Sequence, residues 1–142
     1  MAFEITTIRN IRNDTEEPVT VTNLEKGQHV PLGAKQQVTT ALHVPWMMSA
    51  GDFTAPQPHL LMIRFDFTGD FVYFWQRDQH IFRGTTLANG HPAQDYSAVM
   101  GGRDMIIDYH GAFIFPEGKM PQKFQVGPAM ETVVWGKTEP QD

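Results

Sequence analysis

HLLMIRFDFTGDFVYFWQRDQHIFR, residues 59–83, is the densest apolar and aromatic stretch of the chain. Leu61, Ile63, Phe65 and Phe67 alternate with Leu60, Met62, Arg64 and Asp66. That period of two belongs to a strand with one face on a core. Thr68-Gly69-Asp70 then supplies turn residues, and Phe71, Tyr73 and Trp75 alternate with Val72, Phe74 and Gln76 in a second strand. Arg77-Asp78-Gln79 interrupts the pattern, and His80 to Arg83 reads as a third short strand. The three form an antiparallel meander.

On the N-terminal side, Ile5–Arg9 reads as a strand and Asn10–Pro18 as a polar turn region. Val19–Leu24, Gln28–Leu32 and Gln36–Leu42 read as three more strands, with Val38 the clearest core residue of the last. Residues 43–58, HVPWMMSAGDFTAPQP, break all periodicity and carry Trp46, Met47, Met48 and Phe53. An apolar loop of this length either folds down over an end of the core or forms part of a site, and the expectation is the first. Residues 84–94 form a second irregular stretch. Strands are then expected at Tyr96–Met100, Met105–Tyr109, Ala112–Phe115, Lys123–Val126 and Thr132–Trp135, before a polar tail at 137–142. No window of a dozen residues holds the helical period without a Pro or Gly in it.

The expectation is therefore a single all-β domain of 142 residues, with about a dozen short strands. Three segments, 5–42, 60–100 and 104–135, repeat one order of four strands with the first two joined by a tight turn. Their second strands begin at Pro18, Phe71 and Ala112, spaced 53 and 41 residues apart. Four strands in each of three units is the β-trefoil plan, and this is the fold expected. A two-sheet β-sandwich or jelly roll is the alternative.

Composition removes several function classes. There is no Cys, hence no disulfide, thiol nucleophile or Cys-zinc site. The net charge is −5 with dispersed acidic residues, and no basic stripe invites nucleic acid. No apolar run approaches a membrane span. The N-terminal MAFEITTIRN lacks the basic and apolar regions of a signal peptide. The expected location is the cytoplasm, or outside the cell by a route that needs no signal. Neither Ser49 nor Ser97 lies in a Gly-x-Ser-x-Gly elbow, and Gly101-Gly102 lacks the strand-to-helix setting of a phosphate loop. No enzyme activity and no cofactor are expected.

Size, absence of Cys and the threefold plan resemble the small ricin-B-like β-trefoil lectins of fungi. The family's Gln-x-Trp signature is absent, since Trp75-Gln76 runs in the reverse order. The resemblance implies a mono- or oligosaccharide ligand. Independently, a sugar site wants an aromatic face for the C–H side of the ring, with a short carboxylate and an amide to fork the hydroxyls. Asp78, and Asn89, His91, Gln94, Asp95 and Tyr96, place those types within the second unit, near its third and fourth strands. Trp75 is expected in the core, and Trp46 is the exposed aromatic candidate. Two other readings stand beside the lectin. One is a membrane-surface or protein partner engaged by the 43–58 loop. The other is a small metalloenzyme drawing on His43, His59 and His91.

Overall fold

The computed structural model describes residues 5–77, 80–93, 101–126 and 135–137. The meander is present: β5 (Leu61–Phe65), β6 (Phe71–Arg77) and β7 (His80–Gly84) pair antiparallel in sequence. With β2 (Val19–Asn23), β3 (Gln28–Leu32) and β8 (His91–Pro92) they form a six-stranded sheet of order β3-β2-β5-β6-β7-β8. A four-stranded sheet holds β1 (Thr6–Asn13), β4 (Gln37–His43), β9 (Gly101–Asp108) and β10 (Gly111–Pro116) in the order β10-β9-β1-β4.

One apolar core draws on both sheets. Ile8, Ile11, Leu42, Met105, Ile107 and Ile114 of the smaller sheet meet Val19, Val21, Ile63, Val72, Phe74 and Ile81 of the larger one. This is the two-sheet sandwich held as the alternative. The threefold trefoil plan has no counterpart in the pairing of the described strands. Strand β1 pairs antiparallel with β4 and parallel with β9, whereas β2 lies in the other sheet beside β3 and β5. The four-strand order that suggested three units is a linear pattern. It does not specify which strand crosses to which layer.

Strand β1 runs four residues beyond the expected Ile5–Arg9 piece. Its register with both neighbours slips between Ile8 and Asn10. Arg9 is thereby an extra residue opposite β9, a bulge that reverses the phase of the strand. Ile8 and Ile11, three apart, would face opposite ways in a regular strand; here both are fully buried in the same core.

At the other end of the meander, β5 stops at Phe65, and Phe67 is turned out to 80% exposure in the connection to β6. The expected alternation through Phe67 is corrected by that turn, where the Gly69 amide donates to the Phe65 carbonyl and Gly69 has φ 78°.

Both outer faces carry cover. Across the smaller sheet lies the chain after β10. Phe124 packs 4.9 Å, centroid to centroid, from Phe113, and Arg12 Nη1 donates to the Pro121 carbonyl at 2.7 Å. The expected strand at Lys123–Val126 is instead part of this irregular cover. On the larger sheet lies the 43–58 loop with its single helical turn, α1 (Gly51–Thr54). Met47 N donates to the Gln76 carbonyl and Gln76 N to the Pro45 carbonyl, both at 2.8 Å. Met47, Leu60 and Trp75 form a second buried cluster, with Phe53 edge-on to Tyr73 at 5.7 Å and to Trp75 at 5.3 Å. The loop is folded down, as expected, and Trp75 is core.

Candidate functional site

The sandwich has an open end where β1 begins and β2 and β4 finish. Ile5 precedes β1, and Asn23 and His43 close β2 and β4. Between them and the start of the folded-down loop lies a cleft of about 370 Å³. Ile5, Val44, Pro45, Trp46 and Met48 give it an apolar wall, and Glu25, Lys26, His43 and His59 a polar one.

Local hydrogen bonding sets these walls. The Asn23 amide donates to the His43 carbonyl at 3.2 Å and accepts from Lys26 N at 3.0 Å, so one side chain ties the ends of β2 and β4 to the turn carrying Glu25 and Lys26. His59 Nδ1 lies 2.9 Å from the Trp46 carbonyl oxygen. A carbonyl only accepts, so Nδ1 carries the proton, and in the neutral ring Nε2 is left as an acceptor. Nε2 is 3.5 Å from Glu25 Oε2, and Nδ1 is 3.7 Å from Asp52 Oδ2. Either contact is an ion pair only when the imidazole is protonated.

Asp52 organises the loop behind His59. Its Oδ2 accepts from Met48 N at 2.8 Å and from Ser49 N at 3.2 Å, while its own carbonyl accepts from His59 N at 2.9 Å. The Met48 amide, with help from Ser49 and His59, holds the Asp52 carboxyl below its ordinary value against a smaller opposing effect of burial. Nearby, burial against the aromatic cluster pushes the Tyr73 hydroxyl up.

Of the residues expected to bind carbohydrate, Trp46 lines this cleft. Asn89 does not: its Oδ1 accepts from Thr85 N (3.0 Å) and Thr86 N (2.7 Å) and its Nδ2 donates to Thr85 Oγ1 (2.7 Å), so its amide closes its own turn. His91 is exposed on β8, opposite Arg83 of β7. Asp78, Gln94, Asp95 and Tyr96 lie outside the described residues. Of the three histidines considered for a metal, His43 and His59 share the cleft and His91 does not line it. Among the described residues no three His, Cys, Asp or Glu side chains gather as a metal site.

Glu25 and Lys26 were not singled out by sequence reasoning. Each is an ordinary charged residue in a Gly-containing turn. Only the return of residues 43–59 across the sheet end makes them part of a wall.

No family model, curated protein or solved structure matches the chain. The geometry of the cleft is therefore the basis for a functional reading. Among the described residues no helix is long and apolar enough to cross a membrane.

Proposed function

We propose that the protein binds carbohydrate, without transforming it, in the cleft beneath Trp46. The observation that carries this reading is one cleft that combines an indole, a carboxylate and an imidazole acceptor: Trp46, Glu25 and His59. Its volume falls in the ~300–1,000 Å³ range of small-ligand sites. An aromatic face takes the C–H side of a sugar ring, and Glu25 and the neutral His59 Nε2 accept from its hydroxyls. Glu25 is the one carboxylate among the described lining residues. A glycosidase would need a second carboxyl across the scissile bond, so the reading is a binding protein.

The test is calorimetric titration and thermal shift with a panel of mono- and oligosaccharides. A ligand at a hundred times its Kd should stabilise by ~2.7 kcal/mol. Trp46→Ala and Glu25→Gln should each abolish that shift. No response to any saccharide would overturn the proposal.

A second reading has one specific observation behind it. Ile5 and Met48 stand 47% and 63% exposed beside the cleft, an apolar pair suited to a membrane surface. Co-sedimentation with phosphatidylcholine vesicles, lost in Met48→Ser, would favour this reading over the first.

A further inference from the structure

The outer face of the smaller sheet carries a second cleft, of about 320 Å³ and different chemistry, between edge strand β4 and the covering segment after β10. Three strands contribute to its floor. Asn10, Thr39 and Asp104 face one another across β1, β4 and β9. Thr39 Oγ1 donates to Asn10 Oδ1 at 3.0 Å, and Asn10 Nδ2 donates to Asp104 Oδ1 at 2.9 Å. Asp104 Oδ2 accepts from Gly118 N at 2.9 Å, where the covering chain turns with φ 82°. The carboxylate is thus fixed from both sides although its residue is only 2% exposed.

Arg12 fixes the next row. Its Nε and Nη2 donate to the two Asp14 oxygens at 2.7 and 3.0 Å, and its Nη1 holds the covering chain at Pro121. Half-buried Met120 also lines the cleft, as do two primary amides, Gln37 on β4 and Gln122 on the covering chain. Both side chains are exposed.

The donor and acceptor inventory selects the ligand. The Arg12 guanidinium is committed to Asp14 and Pro121, which leaves little to attract an anion. Among the described residues no three His, Cys, Asp or Glu side chains gather here for a metal cation. What remains available is polar and two-sided: the amides of Gln37 and Gln122, the second N–H of Asn10 and the spare lone pairs of the Asp104 carboxylate. Alternating donors and acceptors on a rigid polar floor suit a ligand rich in hydroxyl groups. We infer that the cleft formed by Asn10, Asp104, Gln37 and Gln122 is a second saccharide site, separate from the Trp46 cleft. The ligand class rests on the function proposed above; the site does not.

Amide NMR of the labelled protein, titrated with glucose, galactose, mannose, N-acetylglucosamine and their disaccharides, tests it. At least one saccharide should shift the side-chain amide signals of Gln37 and Gln122 and the Gly118 amide, and those shifts should persist in Trp46→Ala. The double variant Gln37→Ala/Gln122→Ala, altered only at exposed positions, should raise the Kd read at Gly118 about tenfold while leaving shifts around Trp46 unchanged. Shifts confined to the Trp46 cleft would overturn the second site and leave the carbohydrate reading standing. Shifts confined to the Asp104 cleft would overturn the Trp46 site alone. No shift at either place would overturn both.

Discussion

The imidazole of His59 is hydrogen-bonded at 2.9 Å to the main-chain carbonyl of Trp46, thirteen residues earlier. That bond closes the irregular loop upon itself at the cleft wall, next to the indole expected to carry the ligand. His59→Ala should lower global stability by ~1 kcal/mol, the net worth of one such bond, and weaken saccharide binding more than stability. Denaturant unfolding beside ligand titration measures the two effects separately. Equal retention of affinity would show that the bond does not position Trp46.

Asp52 gives the loop a pH dependence with a definite sign. Its carboxyl is held below the unfolded value of 3.8 by the Met48 and Ser49 amides. A group with a depressed folded pKa contributes stability that is fully present above the unfolded value and is lost as pH falls through the folded one. Exchange protection at Met48 and Ser49 should therefore be constant near neutrality and decay below pH 3.8. Asp52→Asn should remove that acid-dependent component. An unchanged profile in the variant would assign the acid sensitivity to another group.

Gly90 is a packing requirement. A Cβ there would stand 2.6 Å from Trp75 Cη2. Trp75 is fully buried, edge-on to Phe53 and stacked on Phe82 at 6.1 Å, so its ring has nowhere to retreat. Gly90→Ala should destabilise by ~1–3 kcal/mol, the range for overpacked cores, and perturb Trp fluorescence. A melting midpoint equal to that of the parent would mean that the 84–92 connection moves aside.

Asn13 is a buried junction between strand and loop. Its Oδ1 accepts from Thr15 N and Thr15 Oγ1, and its Nδ2 donates to the carbonyls of Glu17 and Gly33. Asn13→Asp keeps the shape and both acceptor bonds but aims a carboxylate at two carbonyls. It should cost ~2–4 kcal/mol by losing two donors at a fully buried site. Because the acid form restores one donor, the loss should shrink on acidification. Equal stability at all pH values would contradict the hydrogen-bond assignment.

What the sequence made legible follows from where periodicity is undisturbed. The meander of β5, β6 and β7 was readable because its pairings are local and Leu61, Ile63, Val72 and Phe74 alternate cleanly. Strand β1 was cut short because the bulge at Arg9 puts Ile8 and Ile11 on one face at a spacing that no regular strand allows. Layer assignment was not readable: β1 selects β9 through contacts that span most of the chain. Trp46, which lines the cleft, stood out because an indole in a Pro-flanked loop is conspicuous. Its neighbours Glu25 and His59 were not grouped with it, since the cleft is assembled from separate chain segments and no spacing rule connects them.

The parallel pairing of β1 with β9 bears on how the chain is made. Thr6 meets Gly101 and Asn13 meets Ile107. On a ribosome β1 emerges long before β9, its partner on one side. The β5–β6–β7 meander can order early from local contacts, whereas the smaller sheet must wait for a long loop to close. Until then β1 has β4 on one flank and an unpaired row of amides and carbonyls on the other. The interval before β9 arrives is the stage of synthesis at which neighbouring nascent chains could dock in its place.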